Sequence, residues 1–196
     1  MSDSTGGPLG ALIGPRGSAT TWAREIVRGE VVDGAVGRAL ADRERSSADA
    51  VVLVLALHRC PDPTGLLAGV RHVLRPGGTL VVVTPSVARR TPTDLRWSGV
   101  LRPVRRGPWR HRSALDRAGW LLAAADFAVL TDERRTFALP LPDAGAARAA
   151  VDALPAAAVW PDLEPAPRTR LAEALAHRAG PGRHLPVPLR RLVARR

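Results

Sequence analysis

The 196-residue chain contains no lysine, asparagine, glutamine or tyrosine, and a single cysteine. One thiol, Cys60, closes no internal disulfide and builds no metal site alone, which agrees with a reducing compartment. No other grouping of His, Cys or carboxylates has ligand spacing, so no metal is expected. No apolar run approaches the roughly 18–20 residues that a membrane span requires. The opening "MSDSTGGPLG" has neither a basic nor an apolar leader segment, so a cytoplasmic setting without signal peptide is the expectation.

Acidic residues are also scarce, 18 against 29 basic, for a net charge of +11. Every basic residue is arginine. The missing residue types draw largely on AT-rich codons, which implies a high-GC bacterium and makes part of the arginine content codon bias. Bias does not account for the few acids, so an anionic partner stays open. Nucleic-acid binding through Arg102 to Arg112 and Arg190 to Arg196 is the weaker form of that reading.

What is present points to one domain over residues 1–196, with a loose terminus over 1–8 and an Arg/Pro-rich tail over 180–196. The apolar run Gly10 to Gly14, the turn-rich "PRGS" and the helical spacing of Trp22, Ala23, Ile26 and Val27 read as strand, loop and helix. "GEVVDG" reads as a short strand ending at Asp33, and residues 35–48 as a mixed-charge helix. Eight consecutive apolar residues, Ala50 to Leu57, suit a strand buried on both faces. A helix follows, capped by Asp62 or Thr64 and stopped at Pro76-Gly77-Gly78, and then "TLVVVTPS" as a second buried strand. Strand, helix and strand with short connections predict parallel crossover units with helices on both faces of a sheet.

Residues 87–112 have no clean period. Residues 112–127 predict a helix, and "FAVLTDERRTFALPL" two strands around a Thr-Asp-Glu-Arg turn, an antiparallel hairpin at the sheet edge. Two Ala-rich helices are expected near 143–158 and 166–179. The apolar residues of the tail predict docking on the body, with proline breaking any long strand.

The segment "ADAVVLVLALHRCPDPTGLLAGVRHVLRPGGTLVVVTP" resembles class I S-adenosylmethionine-dependent methyltransferases of the small-molecule type. Asp49, Leu57-His58, Asp62-Pro63 and Leu74 to Gly78 follow that family's order of features. The resemblance implies a three-layer Rossmann-like α/β fold, a mostly parallel sheet and S-adenosylmethionine as cofactor. It assigns Gly14, Gly17 and Ser18 to the cofactor loop, Asp33 to the ribose-binding acid, Leu57 to the cofactor crevice and His58 to a catalytic position. Leu12 stands where the family's loop carries an acid. Only 15 residues separate Asp33 from Asp49, so one N-terminal strand is expected to be missing. Trp97, Trp109 and His111 are candidates for holding a small-molecule acceptor.

Each candidate has a plainer alternative: His58 as a packed core histidine, Asp33 as a turn residue before Gly34, and the two tryptophans as anchors of a long loop. Two functions remain open at this point. One is methyl transfer to a small acceptor; the other is an inactive relative that serves a protein partner.

Overall fold

The structure is a computed structural model that describes residues 8–14, 16–27, 31–33, 40 and 44–196. Among the described residues the sheet has five strands in the order β1-β2-β3-β5-β4. These are β1 (Val31–Asp33), β2 (Ala48–Val54), β3 (Leu74–Pro85), β4 (Ala128–Pro140) and β5 (His184–Arg195). The first three run parallel, and β5 is antiparallel to both β3 and β4. Helices cover both faces, giving a three-layer α/β architecture.

The unit β2, α3 (Pro63–Val73), β3 forms as its sequence dictates. Val51 and Leu53 face one core with Leu80 and Val82, while Val52 faces the other with Val81 and Val83. This alternation buries both faces and explains the unbroken apolar runs. Asp62 is the helix cap, its Oδ1 accepting from the Gly65 N–H at 2.9 Å. Gly77 has φ 77°, a left-handed conformation that glycine adopts without penalty. The Pro-Gly-Gly stretch, expected as a turn before the strand, lies within β3 at a register shift against β2. The Gly77 N–H donates to the Arg196 carbonyl and the Arg196 N–H to the Gly78 carbonyl, which anchors Arg196 there.

The N-terminal half departs from expectation. Gly10 to Gly14 belongs not to a strand but to helix α1 (Pro8–Ile13) and its end, followed by α2 (Ser18–Arg24). A five-residue apolar run fits either state, and here Leu12 packs into the core from a helix. The strand ending at Asp33 does form, and it pairs directly with β2 through Asp33 opposite Val52. Among the described residues no strand precedes it; the stretch between Asp33 and Asp49, where one strand is expected to be missing, lies mostly outside the described residues. Most of the helix expected over 35–48 lies outside the described residues; Leu40 is helical and buried.

The C-terminal half differs in a second way. "AVLTDERRTFALP" is one 13-residue strand, β4, rather than a hairpin. It lies on the sheet edge with most side chains in water, so charged residues are tolerated mid-strand. Its partner is the tail, which forms the inner strand β5 after the long excursion through α8 (Ala144–Ala156) and α9 (Pro165–Ala176). Pro186 and Pro188 do not break β5. The Pro188 carbonyl accepts from the Ser86 N–H, so that side of the strand faces β3, which ends at Pro85 opposite Leu189. The missing proline N–H groups therefore point past the end of β3 and cost the β4–β5 ladder nothing. Residues 113–127 form two short helices, α6 (Ser113–Asp116) and α7 (Ala118–Ala124), broken at Arg117 with φ −114° and ψ 21°. Trp120 on α7 is exposed, and Leu122 fills the core instead.

Among the described residues no helix is long and apolar enough to cross a membrane.

Candidate functional site

In an open parallel sheet the ligand crevice lies beyond the carboxyl ends of the strands. Here those ends are Asp33, Val54 and Pro85. The chain leaves β2 through Leu55, whose φ of 55° redirects the backbone while its N–H still donates to the Val83 carbonyl at 2.9 Å. The Arg59 and Cys60 N–H groups then return to the Ala56 carbonyl, closing a tight turn over residues 55–60.

His58 sits in that turn and is 2% exposed. Its Nε2 lies 2.7 Å from the Ala158 carbonyl, which can only accept, so Nε2 carries the proton and Nδ1 is a bare lone pair. Nδ1 is enclosed without a partner. Burial pushes the imidazole pKa down to about 4, outweighing the Ala158 hydrogen bond, so the ring is neutral at physiological pH. Trp109 meets the ring edge-on at 5.6 Å. This geometry pins the turn to the segment after α8. Leu57, beside it, is fully buried.

Beyond β3 the chain forms α4 (Pro92–Arg96) and α5 (Arg102–Arg106). Thr91 and Asp94 make a reciprocal capping box with Pro92 at the first helical position. The same Asp94 carboxylate accepts from Arg134 Nη2 at 2.7 Å, and Arg134 Nε donates to Ser86 Oγ at 2.9 Å. Edge strand β4, the end of β3 and helix α4 are thereby tied at one buried ion pair. A small cavity adjoins it, lined by Ser86, Asp94, Arg105 and three tryptophans, Trp97, Trp109 and Trp160, with room of about 30 Å³. That is the volume of about one water molecule.

Of the candidate acceptor residues, Trp97 and Trp109 come together on this cavity, and Trp109 is held by its Nε1–H on the Val104 carbonyl at 3.0 Å. His111 does not line it; its Nε2 is enclosed without a partner elsewhere in the loop. Asp94 and Arg134 are the residues that sequence reasoning missed. The capping-box pattern "TPTD" was the available signal for Asp94. Arg134 had none, because "TDERR" reads as a turn.

The resemblance implies S-adenosylmethionine as cofactor, and the positions it assigns, Asp33 and Leu57, lie at or just beyond the ends of adjacent parallel strands. Asp33 closes β1 beside the turn that follows β2, which places a carboxylate position and the Leu57 backbone on one side of the sheet. The glycines of the expected loop have another employment. A Cβ at Gly14 would lie 2.5 Å from the Gly10 carbonyl oxygen, and one at Gly17 2.6 Å from the Leu12 carbonyl carbon. Both are glycine because α1 packs against the corner leading into α2. Ser18 is exposed, 3.4 Å from the Ala11 carbonyl. The Asp33 side chain lies outside the described residues.

Residues 17–82, about a third of the chain, match the family model described as a methyltransferase domain. No match emerges among curated protein sequences. Among solved structures, a methyltransferase from Bacillus halodurans is 16% identical with a TM-score of 0.44, covering 79% of this chain and 66% of its own. The [4+2]-cyclase SpnF is 20% identical with a TM-score of 0.42, covering 79% and 52%. An S-adenosylmethionine-dependent methyltransferase from Methanosarcina mazei is 14% identical with a TM-score of 0.41, covering 79% and 62%. The chain thus spans two thirds or less of the length of these proteins, and likeness at this level carries nothing about a substrate. Residues 17–82 are thus similar to a methyltransferase domain, and the stretch from Asp49 to Gly78 that resembles the class I S-adenosylmethionine-dependent enzymes lies within that span.

Proposed function

We propose that the protein transfers a methyl group from S-adenosylmethionine to a small-molecule acceptor. The single observation that carries this reading is the methyltransferase-domain match, which runs through the unit β2-α3-β3 whose strand ends form the crevice. When bound, the cofactor supplies an electrophilic methyl group. The chain's own contribution would be binding and orientation. Asp33 is assigned to the ribose hydroxyls and the Leu57 backbone to the crevice wall. Trp97 and Trp109 are assigned to the acceptor, and the 55–60 turn is kept in place by His58. Such positioning supplies a large share of the rate in a transfer between two bound reactants. A cavity of about 30 Å³ requires the tryptophan-lined wall to open before an acceptor enters.

A second reading is favoured by one specific finding. Gly14 and Gly17 both pack against the backbone of α1, as expected of a relative that has lost cofactor binding and serves a protein partner. Isothermal titration with S-adenosylhomocysteine separates the two. Micromolar binding supports methyl transfer; absence of heat at millimolar ligand, with an unchanged melting temperature, overturns it in favour of the partner role.

A further inference from the structure

Beside the tryptophan-lined cavity, and sharing Val87 and Arg105 with it, lies an open basin of about 450 Å³. Five of its lining residues are arginines: Arg89, Arg102, Arg105, Arg106 and Arg112. No carboxylate lines it. Among the described residues Arg89, Arg102 and Arg106 take part in no ion pair, in contrast to Arg134, Arg190 and Arg191, which are each matched to an acid. Arg112 meets only Asp116, at 3.9 Å. Arg105 donates through Nη2 to the Asp94 carbonyl at 3.1 Å, while its Nη1 is buried with no acceptor.

An unpaired buried guanidinium N–H is costly, and like charges gathered around one hollow repel. The repulsion among the basin arginines is relieved by an anion with several oxygens. Guanidinium forks match phosphate oxygens bidentately, and five of them call for more than one phosphate. Scattered arginine from codon bias would not produce this arrangement, because the elements that bring the five together are separate: the chain after β3, helix α5 and the approach to α6. We propose that this basin is a binding site for a ligand carrying a di- or triphosphate group. The site stands on its own chemistry and does not depend on methyl transfer.

The test uses the full chain in a phosphate-free buffer at about 150 mM salt, where surface charge is screened beyond about 8 Å. Inorganic pyrophosphate is titrated calorimetrically into wild type, the basin double variant Arg102→Ala/Arg106→Ala, and the charge-matched control Arg148→Ala/Arg170→Ala on α8 and α9. All four replaced arginines are exposed, and none is in an ion pair among the described residues, so both variants keep the wild-type melting temperature. Arg89→Ala serves as a second basin variant. The expected result is saturable pyrophosphate binding that weakens tenfold or more in the basin variants and less than twofold in the control. Equal weakening in basin and control variants would reduce the effect to net charge and overturn the site. So would absence of binding at millimolar pyrophosphate, or duplex DNA binding that pyrophosphate fails to displace.

Discussion

Replacing Asp94 by alanine is expected to remove about 3–5 kcal/mol of stability, the range for breaking a buried ion pair from one side. The carboxylate is 2% exposed, and Arg134 retains 11% of its side-chain surface. Four donors converge on it: Arg134 Nη2 at 2.7 Å and, each at 2.9 Å, the Arg90 N–H, the Thr91 N–H and the Thr91 hydroxyl. Alanine leaves Arg134 Nη2 and two backbone N–H groups without acceptors, and each such loss costs about 1–3 kcal/mol. At roughly 2–4 °C per kcal/mol for a chain of this size, the melting temperature falls by about 6–20 °C. Urea unfolding at pH 7, read by tryptophan fluorescence, measures the difference. A loss below about 1 kcal/mol, the worth of an exposed pair, would refute the reasoning. The pH dependence supplies a second check. Burial alone would raise the Asp94 pKa, but the Arg90 N–H, Arg134 and Thr91 outweigh it and hold the value below the ordinary one. Its contribution is therefore complete above about pH 4 and disappears as pH falls through the depressed folded-state value. Asp94→Asn, which cannot titrate, should lie below wild type at pH 7 and approach it only at the acid extreme.

Three further outcomes follow from the same geometry. His58 takes up a proton at about 6.5 when unfolded and at about 4 when folded, so stability should fall as pH drops through that window, by up to about 1.4 kcal/mol per unit; His58→Gln should flatten the slope in urea melts at pH 7.5, 5.5 and 4.5, and an unchanged slope would count against the buried neutral ring. Gly17→Ala should lower the melting temperature of the ligand-free protein by several degrees, because the added Cβ meets backbone at 2.6 Å; no change without ligand would return that glycine to a cofactor role. Truncation after Arg183 removes β5, the strand between β3 and β4, and should abolish cooperative unfolding in far-ultraviolet circular dichroism, whereas a sharp melt would contradict the inner position of the tail.

The portions of the fold legible in the sequence are those whose signals are local. β2, α3 and β3 each carry their own pattern and punctuation, from the apolar run at Ala50 to the Asp62 cap and the Pro-Gly-Gly stretch, and all three formed. The misread portions depend on partners distant in sequence. β4 looks like a hairpin because "TDERR" is polar, yet it is paired along its length with residues 184–195, and nothing near it in sequence says so. Prolines in the tail argue against a strand until it is known that β3 stops opposite Leu189. Gly10 to Gly14 was too short for periodicity to separate helix from strand. At the site, Trp97 and Trp109 could be singled out as large aromatics in an irregular stretch. The pair Asp94–Arg134 could not, because its members lie 40 residues apart on elements of different kinds.

The all-arginine chemistry gives the charge a division of labour that a net value hides. Arg190 places two nitrogens on Asp132, Nε to Oδ1 at 2.6 Å and Nη2 to Oδ2, and a third on the Leu115 carbonyl at 2.9 Å. Arg191, nearly buried, lies 4.7 Å over the Trp22 ring and donates to Glu133 Oε2 at 2.6 Å. Arg196 reaches the Leu74 carbonyl. Each arrangement needs a planar cation with several fixed donors, which an ammonium group does not offer. These bonds give Arg190, Arg191 and Arg196 a structural role. Arg89, Arg102 and Arg106 have no such structural partner among the described residues. Unlike Arg148 and Arg170, which are also unpaired among the described residues but stand apart from the basin, these three converge on one hollow beside the end of β3, where a sheet of this kind meets its ligands.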